Sequence, residues 1–431
     1  MVVLIRRAAW LLALPLLLLR EPPLRAQASF GNWSTYVSLG DSLTAGVVSS
    51  SVVRTHQERS YPAQLARAGG ARSFEQPLVS EPGLPPELTL ISLLPSPLIA
   101  PKATLPGLPA NLLLPRPYNN LGVPGSNTLD LLTRISGGSH DLVLRGLGTA
   151  LNQGLALRPT VVTLWIGSND VLGAAVSGRA IDGVTLTPAA VFRAAYQQIV
   201  AALKSTGAPI VAGNLPDVTS IPFVTALPRF VVNPATGQPV LVGGQRVAVL
   251  GPNGPLGEGS YVLLSASSLL AQGIGIPASA GGRGLALPDE VVLDANEVAT
   301  VRDRVSANNQ AIRDICAANA VPVVDFNGFL REMAGGGRSV GGVRVSSDFL
   351  TGGLFSYDGV HPTDLGYAIV ANEWIRVINQ NGGQLPEVDL GPFLGVSSRS
   401  QGAPTQAPPE FSREAWDALL SFFPPLDGSL R

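Results

Sequence analysis

Apolar positions along this chain follow two periods. Short, mostly apolar runs occur at Tyr36 to Leu39, Asn119 to Val123, Val161 to Ile166, Pro209 to Ala212 and Val321 to Phe326. Continuous runs of this length are what a strand buried on both faces requires. Between them the period lengthens to that of a helix. Thr187 and Pro188 read as N-cap and first helical residue, after which Phe192, Ala195, Tyr196, Ile199 and Leu203 share one face until Gly207. Asp294 with Glu297 forms a capping-box pattern ahead of Val298, Val301, Val305, Ile312 and Ile315. A third helix is predicted over Leu365 to Gln380, stopped by Gly382-Gly383. Strand, helix, strand in alternation predicts βαβ units and an α/β fold around a parallel sheet.

Two stretches break the alternation. Residues 77–117 are rich in Leu and Pro with almost no charge, and residues 221–288 are rich in Gly, Val and Pro around the hairpin-like segment VVNPATGQPVLV. Both read as insertions in a main domain spanning 29–383. Residues 384–431 read as a Pro-rich linker ending in SREAWDALLSFF, where Trp416, Leu419, Leu420 and Phe423 would share a helical stripe docked on that domain. At the other end, Arg6 and Arg7 precede an apolar run from Ala8 to Leu19 and the small-residue pattern Ala26-Gln27-Ala28. That pattern reads residues 1–28 as a signal peptide, too short in its apolar part to span a bilayer, and places the protein outside the cytoplasm. The adjacent arginines leave open whether export is general or twin-arginine.

Composition narrows the chemistry. Of 431 residues, 45% are hydrophobic and only 14% charged, with a formal net charge of −1, so no broad positive field exists to attract nucleic acid. A single cysteine, Cys316, cannot form an intrachain disulfide and reads as a packing residue at a helix end. Three histidines, His56, His140 and His361, with that one cysteine cannot fill a zinc cage of the usual His/Cys spacing, and no phosphate-loop or dinucleotide fingerprint follows a strand. The expectation is therefore a reaction that needs no cofactor and no metal.

Four polar segments carry the candidate chemistry. YVSLGDSLTAG puts Ser42 between a strand and a helix, where open α/β sheets bind ligands. NLGVPGSNT, WIGSND and YDGVHP follow in that order. Each alone is ordinary turn chemistry, since Gly-Asp-Ser, Pro-Gly and Asp-Gly are common turn sequences. Together they resemble the GDSL family of the SGNH hydrolase superfamily, over a framework from about Tyr36 to Gln380. The resemblance implies a three-layer α/β/α sandwich around about five parallel strands. It implies Ser42 as nucleophile, His361 as general base, Asp358 as the carboxylate orienting the imidazole, and an oxyanion hole of the Ser42 amide, Gly125 and Asn169.

Elementary chemistry is compatible with each implied role. A serine hydroxyl needs an adjacent base, and of the three histidines only His361 lies three residues after a carboxylate. Asn169 follows a strand end, so its amide can donate to a developing oxyanion, worth roughly 3 kcal/mol per donor. Gly125 lacks a Cβ and can bring its N–H close to the same oxygen. Gly337-Arg338-Ser339-Val340-Gly341 matches the GxSxG elbow of other hydrolases, but a helix-like stretch precedes it and a strand-like one follows, the reverse of the required context. Asp170 is expected to cap the helix after WIGSND, His56 to be an exposed loop residue, and His140 to have no role. The resulting expectation is a secreted serine ester hydrolase acting on small-molecule lipid or acyl esters. Carbohydrate O-acetyl ester hydrolysis and an inactive binding protein on the same fold are the alternatives.

Overall fold

The computed structural model describes residues 30–93, 96–394 and 408–423; the signal-peptide reading of 1–28 lies outside them. Five parallel strands form the central sheet in the spatial order Val323–Val324, Ile210–Gly213, Val161–Trp165, Tyr36–Gly40 and Asn120–Gly122. The register aligns Gly40 with both Trp165 and Gly122, so three strands end level with one another. This is the α/β sandwich that the alternation predicts. From Tyr36–Gly40 the chain crosses outward to Asn120–Gly122 and then back to Val161–Trp165, which leaves a crevice at the carboxyl ends where the winding reverses.

The strands are buried on both faces because their alternate residues feed two separate cores. Tyr36, Val161, Trp165 and Val211 pack with Tyr61, Tyr367 and Trp374 on one side. Val37, Leu39, Val162, Leu164 and Ile210 pack with Tyr196, Ile199, Ile312 and Ile315 on the other. The helices that cover these faces include Tyr61–Ala68 and Asp364–Gln380 on the first and Ala189–Lys204 and Ala295–Ala318 on the second. Asp294 does form the capping box with Glu297, its carboxylate accepting from the Glu297 amide at 2.9 Å. Cys316 is fully buried, as its place on the inner helix face requires.

Boundaries differ from the sequence reading in physical ways. The edge strand is only Val323–Val324, because Asp325 caps a helix that begins at Phe326. Pro188 rather than Thr187 is the N-cap of Ala189–Lys204, because the helical ladder begins with the Phe192 amide donating to the Pro188 carbonyl at 3.0 Å. The first inserted stretch folds into an antiparallel pair, Leu88–Ser92 with Leu98–Pro101, and the second into short hairpins such as Leu241–Val242 with Gln245–Arg246. Ser339 is exposed on the two-stranded hairpin Arg338–Val340 and Val343–Val345, with no helix after it, so the elbow match has no structural counterpart. Among the described residues no helix is long and apolar enough to cross a membrane.

Candidate active site

The strand Tyr36–Gly40 runs straight into the short helix Ser42–Ala45. Gly40 is required at the junction: a Cβ there would overlap the Trp165 carbonyl oxygen on the neighbouring strand and the Thr44 hydroxyl. Asp41 caps the helix by accepting from the Leu43 amide at 3.0 Å. The junction thus places Ser42 at the crevice, where the residue is 6% exposed.

A loop between Phe355 and Pro362 brings up the other partners. His361 Nε2 lies 2.9 Å from Ser42 Oγ, and His361 Nδ1 lies 2.7 Å from Asp358 Oδ2. A carboxylate only accepts, so Nδ1 carries a proton toward Asp358 and Nε2 is left facing the Ser42 hydroxyl. Asp358 is fully buried, and burial alone would raise its pKa. The His361 charge and hydrogen bonds from His361 and Val360 outweigh burial and hold it below the usual carboxylate range. Its Oδ1 accepts from the amides of Val360 (2.9 Å) and His361 (2.8 Å), and its Oδ2 accepts from the Ser50 amide (2.6 Å).

That last contact depends on an unusual backbone. Ser49 and Ser50 both sit in the left-handed region, at φ 50° and 55°, a conformation costing on the order of 1 kcal/mol each for residues with a Cβ. It turns the Ser50 N–H onto Asp358 and the Ser49 N–H onto the Ser356 hydroxyl, 2.9 Å away. Gly359, at φ 69°, completes the loop where a side chain would strike the Phe223 backbone. The Phe223 amide in turn donates to the Gly359 carbonyl at 2.9 Å.

Gly125 and Asn169 come from the two neighbouring strand ends. Gly125 follows Asn120–Gly122 and adopts φ 80°, and Asn169 opens the helix Asn169–Ser177 after Val161–Trp165. Asn169 Nδ2 donates to the Ser126 carbonyl at 2.9 Å, which uses one of its two amide hydrogens. Asp170 is not the helix cap, a position taken by Ser168. It is buried and accepts from the Thr128 amide (2.8 Å) and hydroxyl (2.7 Å), tying the two donor loops together. His140, to which the sequence assigns nothing, is buried with Nε2 2.9 Å from Ser126 Oγ, bracing the residue that Asn169 touches.

His56 is likewise corrected. It lies on the short helix Arg54–Gln57 with 18% of its side chain exposed, held between Asp364 (2.7 Å) and Glu87 (2.9 Å). Burial opposes its charge, but the two carboxylates raise its pKa to about 9. It therefore pins the first insertion, which carries Glu87, to the start of Asp364–Gln380 and does not reach the serine. The run of three serines at Ser49–Ser51, beside a motif serine, was the only sequence sign of the support behind Asp358. Serine side chains that bond locally are turn formers, so such a run signals a loop and not a partner for a distant carboxylate.

Asp41 offers a pH signature. Burial pushes its carboxyl up to about 7, against the opposing pull of the Leu43 amide and the His361 charge, and its Oδ2 has no hydrogen-bond partner among the described residues. An unfolded aspartate titrates near 4. Neutral Asp41 therefore stabilises the fold fully below about pH 4, and that contribution is lost as pH rises through 7. Asp41→Asn should gain stability over the parent across that window, by on the order of 3 kcal/mol at pH 8. Urea denaturation of both proteins at pH 4 and pH 8 checks this; a constant difference would contradict it.

The model of the family described as GDSL-like Lipase/Acylhydrolase matches residues 36–374. No curated protein matches the chain in sequence. Among solved structures, similarity is found to a G-D-S-L family protein from Desulfitobacterium hafniense, at 12% identity and a TM-score of 0.35, covering 80% of this chain and 99% of that one. An extracellular lipase from Streptomyces rimosus is similar at 15% identity and a TM-score of 0.34, covering 80% and 98%. Phospholipase A1 from Streptomyces albidoflavus follows at 14% identity and a TM-score of 0.33, covering 81% and 99%.

Proposed function

The chain belongs to the GDSL-like lipase/acylhydrolase family, and from that premise we propose that it is an exported serine ester hydrolase for apolar acyl esters. Family membership supports ester hydrolysis in general. The observation that carries the finer reading is the unbroken chain from Ser42 Oγ through His361 to buried Asp358, with spans of 2.9 and 2.7 Å. That chain needs no rearrangement to move a proton.

In the proposed reaction Ser42 Oγ attacks the ester carbonyl carbon while His361 Nε2 takes the hydroxyl proton. Negative charge gathers on the carbonyl oxygen, where the Ser42 and Gly125 amides and the second Asn169 amide hydrogen would meet it. The imidazolium, steadied by Asp358, returns its proton to the leaving alcohol as the tetrahedral centre collapses to an acyl-serine. Water, activated by the same imidazole, then releases the carboxylic acid and restores Ser42.

The substrate reading rests on what surrounds the serine. Ala45, the last residue of the helix that bears Ser42, packs with Val47, Val52 and Val79 in a small buried apolar cluster, with Leu84 and Leu142 at its margin. An apolar surface of this kind beside the serine favours contact with a hydrocarbon chain. Across p-nitrophenyl esters from acetate to decanoate, kcat/KM should rise from acetate toward the middle chain lengths, each buried methylene adding about 0.8 kcal/mol until the pocket is filled. A profile that peaks at acetate, together with acetate release from acetylated xylan, would favour the carbohydrate alternative. Export, proposed from residues 1–28, is tested by N-terminal sequencing of the processed chain.

A further inference from the structure

Residues 408–423 return across the molecule to the reactive serine. Glu410–Phe411 adds a parallel strand to Leu98–Pro101, and the buried Phe411 amide donates to Ser267 Oγ at 2.7 Å. Ser412 caps the helix Arg413–Leu420, which buries Ala415, Ala418 and Leu419 and stacks Trp416 on Phe223 at 5.5 Å. The chain then turns inward. Phe422 is buried within the apolar cluster of Ala45, Val47, Val52 and Val79, with Phe423 beside it. Its ring centroid stands 6.2 Å from that of His361, edge to face. Its carbonyl oxygen presses so closely on Gly125 that a Cβ there would overlap it.

These three contacts coincide with what the proposed reaction needs from its substrate. A carbonyl oxygen lies against Gly125, a residue proposed to donate to the oxyanion, a hydrocarbon ring packs into the apolar cluster at the end of the Ser42 helix, and that ring meets the imidazole edge to face. Ser42 is 6% and His361 2% exposed with the arm in place, so an ester has no room to approach. The arm is held by its strand and helix, while its tip reaches in on a turn after Leu420.

We propose that the C-terminal arm is a built-in occupant of the acyl subsite, with Phe422 standing where the acyl chain of the substrate goes, and that its tip must withdraw before an ester can bind. The inference rests on the proposed serine chemistry. It adds that the subsite beyond Ser42 takes an apolar acyl group of roughly phenylalanyl bulk, and that resting activity is limited by the fraction of molecules whose arm is open. An occupied site lowers apparent affinity by that fraction.

The test uses the full chain and two variants. Phe422→Ala empties the subsite, and Trp416→Ala loosens the helix on Phe223 without touching the pocket. Both should raise the rate at which a hexyl fluorophosphonate labels Ser42 by about tenfold or more, and lower KM for p-nitrophenyl hexanoate in step. In the unsubstituted protein the Ser42 adduct should increase hydrogen exchange at residues 416–423, a readout that does not depend on any variant folding. Equal or slower labelling in both variants with cooperative unfolding retained, or an adduct that leaves arm exchange unchanged, would overturn the arm proposal while the serine chemistry stood. Absence of label on Ser42 in all three proteins would overturn both.

Discussion

Ser42→Ala is expected to lower kcat/KM for p-nitrophenyl butyrate by about 10⁴-fold or more, with the residual rate reflecting binding and the remaining donors. Nothing else at the strand ends can substitute: the hydroxyl 2.9 Å from His361 Nε2 is set by the Gly40 junction, and the exposed Ser339 lies on a remote hairpin. The fold should survive, because the change removes one oxygen and leaves the Asp41 cap and the Ser42 amide intact. Circular dichroism and thermal melting beside the kinetics separate the two effects. Loss of activity with a collapsed melt would say nothing about the nucleophile, and retained activity with a normal melt would contradict the assignment.

Asp358→Asn is expected to cost both activity and stability. An asparagine Oδ can replace one acceptor oxygen, but its Nδ2 donates, and Oδ2 of Asp358 faces three other donors, His361 Nδ1 and the Ser50 amide and hydroxyl. If the amide oxygen meets His361, Nδ2 is left against the backbone N–H groups of Val360 and His361; if it meets those, the imidazole is driven to the wrong tautomer. Loss of the tautomer is worth about 10⁴-fold in kcat in a comparable triad. The buried donor-to-donor clash adds a stability loss of about 2 to 4 kcal/mol. Because the pKa of Asp358 is depressed, its stabilising contribution is present above about pH 4, where an unfolded aspartate is ionised, and is lost as pH falls through the lower folded value. The variant and parent should therefore converge in stability in strong acid. A variant that keeps kcat near the parent value, or a stability gap that widens in acid, would contradict this reading of the carboxylate.

The framework was legible because its signals are local. Tyr36–Gly40 and Val161–Trp165 are continuous apolar runs ended by glycine or turn residues, and a parallel strand covered on both faces has few other sequences available. The capping box at Asp294 and the helix-period faces of Ala189–Lys204 and Ala295–Ala318 are likewise properties of a few consecutive residues. The four candidate segments stood out only through their order, which the resemblance supplied. What periodicity could not reveal was partnership at long range. Asp170 looked like a cap because carboxylates after strands usually are; its actual partner is Thr128, 42 positions earlier. His56 looked exposed because its neighbours are polar, yet those charges converge on it from Glu87 and Asp364. Phe423 reads as the last member of the amphipathic stripe with Trp416, Leu419 and Leu420; the helix stops at Leu420, and the turn after it sends the neighbouring Phe422 ring to His361.

Peptide mapping by mass spectrometry after prolonged treatment of the full chain with a fluorophosphonate is the most direct check on how this molecule works. The organophosphoryl mass should appear on the tryptic peptide carrying residue 42, disappear in the alanine variant, and fall sharply when the histidine at 361 is replaced. Modification settling on a different serine, or persisting unchanged without that imidazole, would mean that the crevice at the sheet's reversal point is not where the chemistry happens.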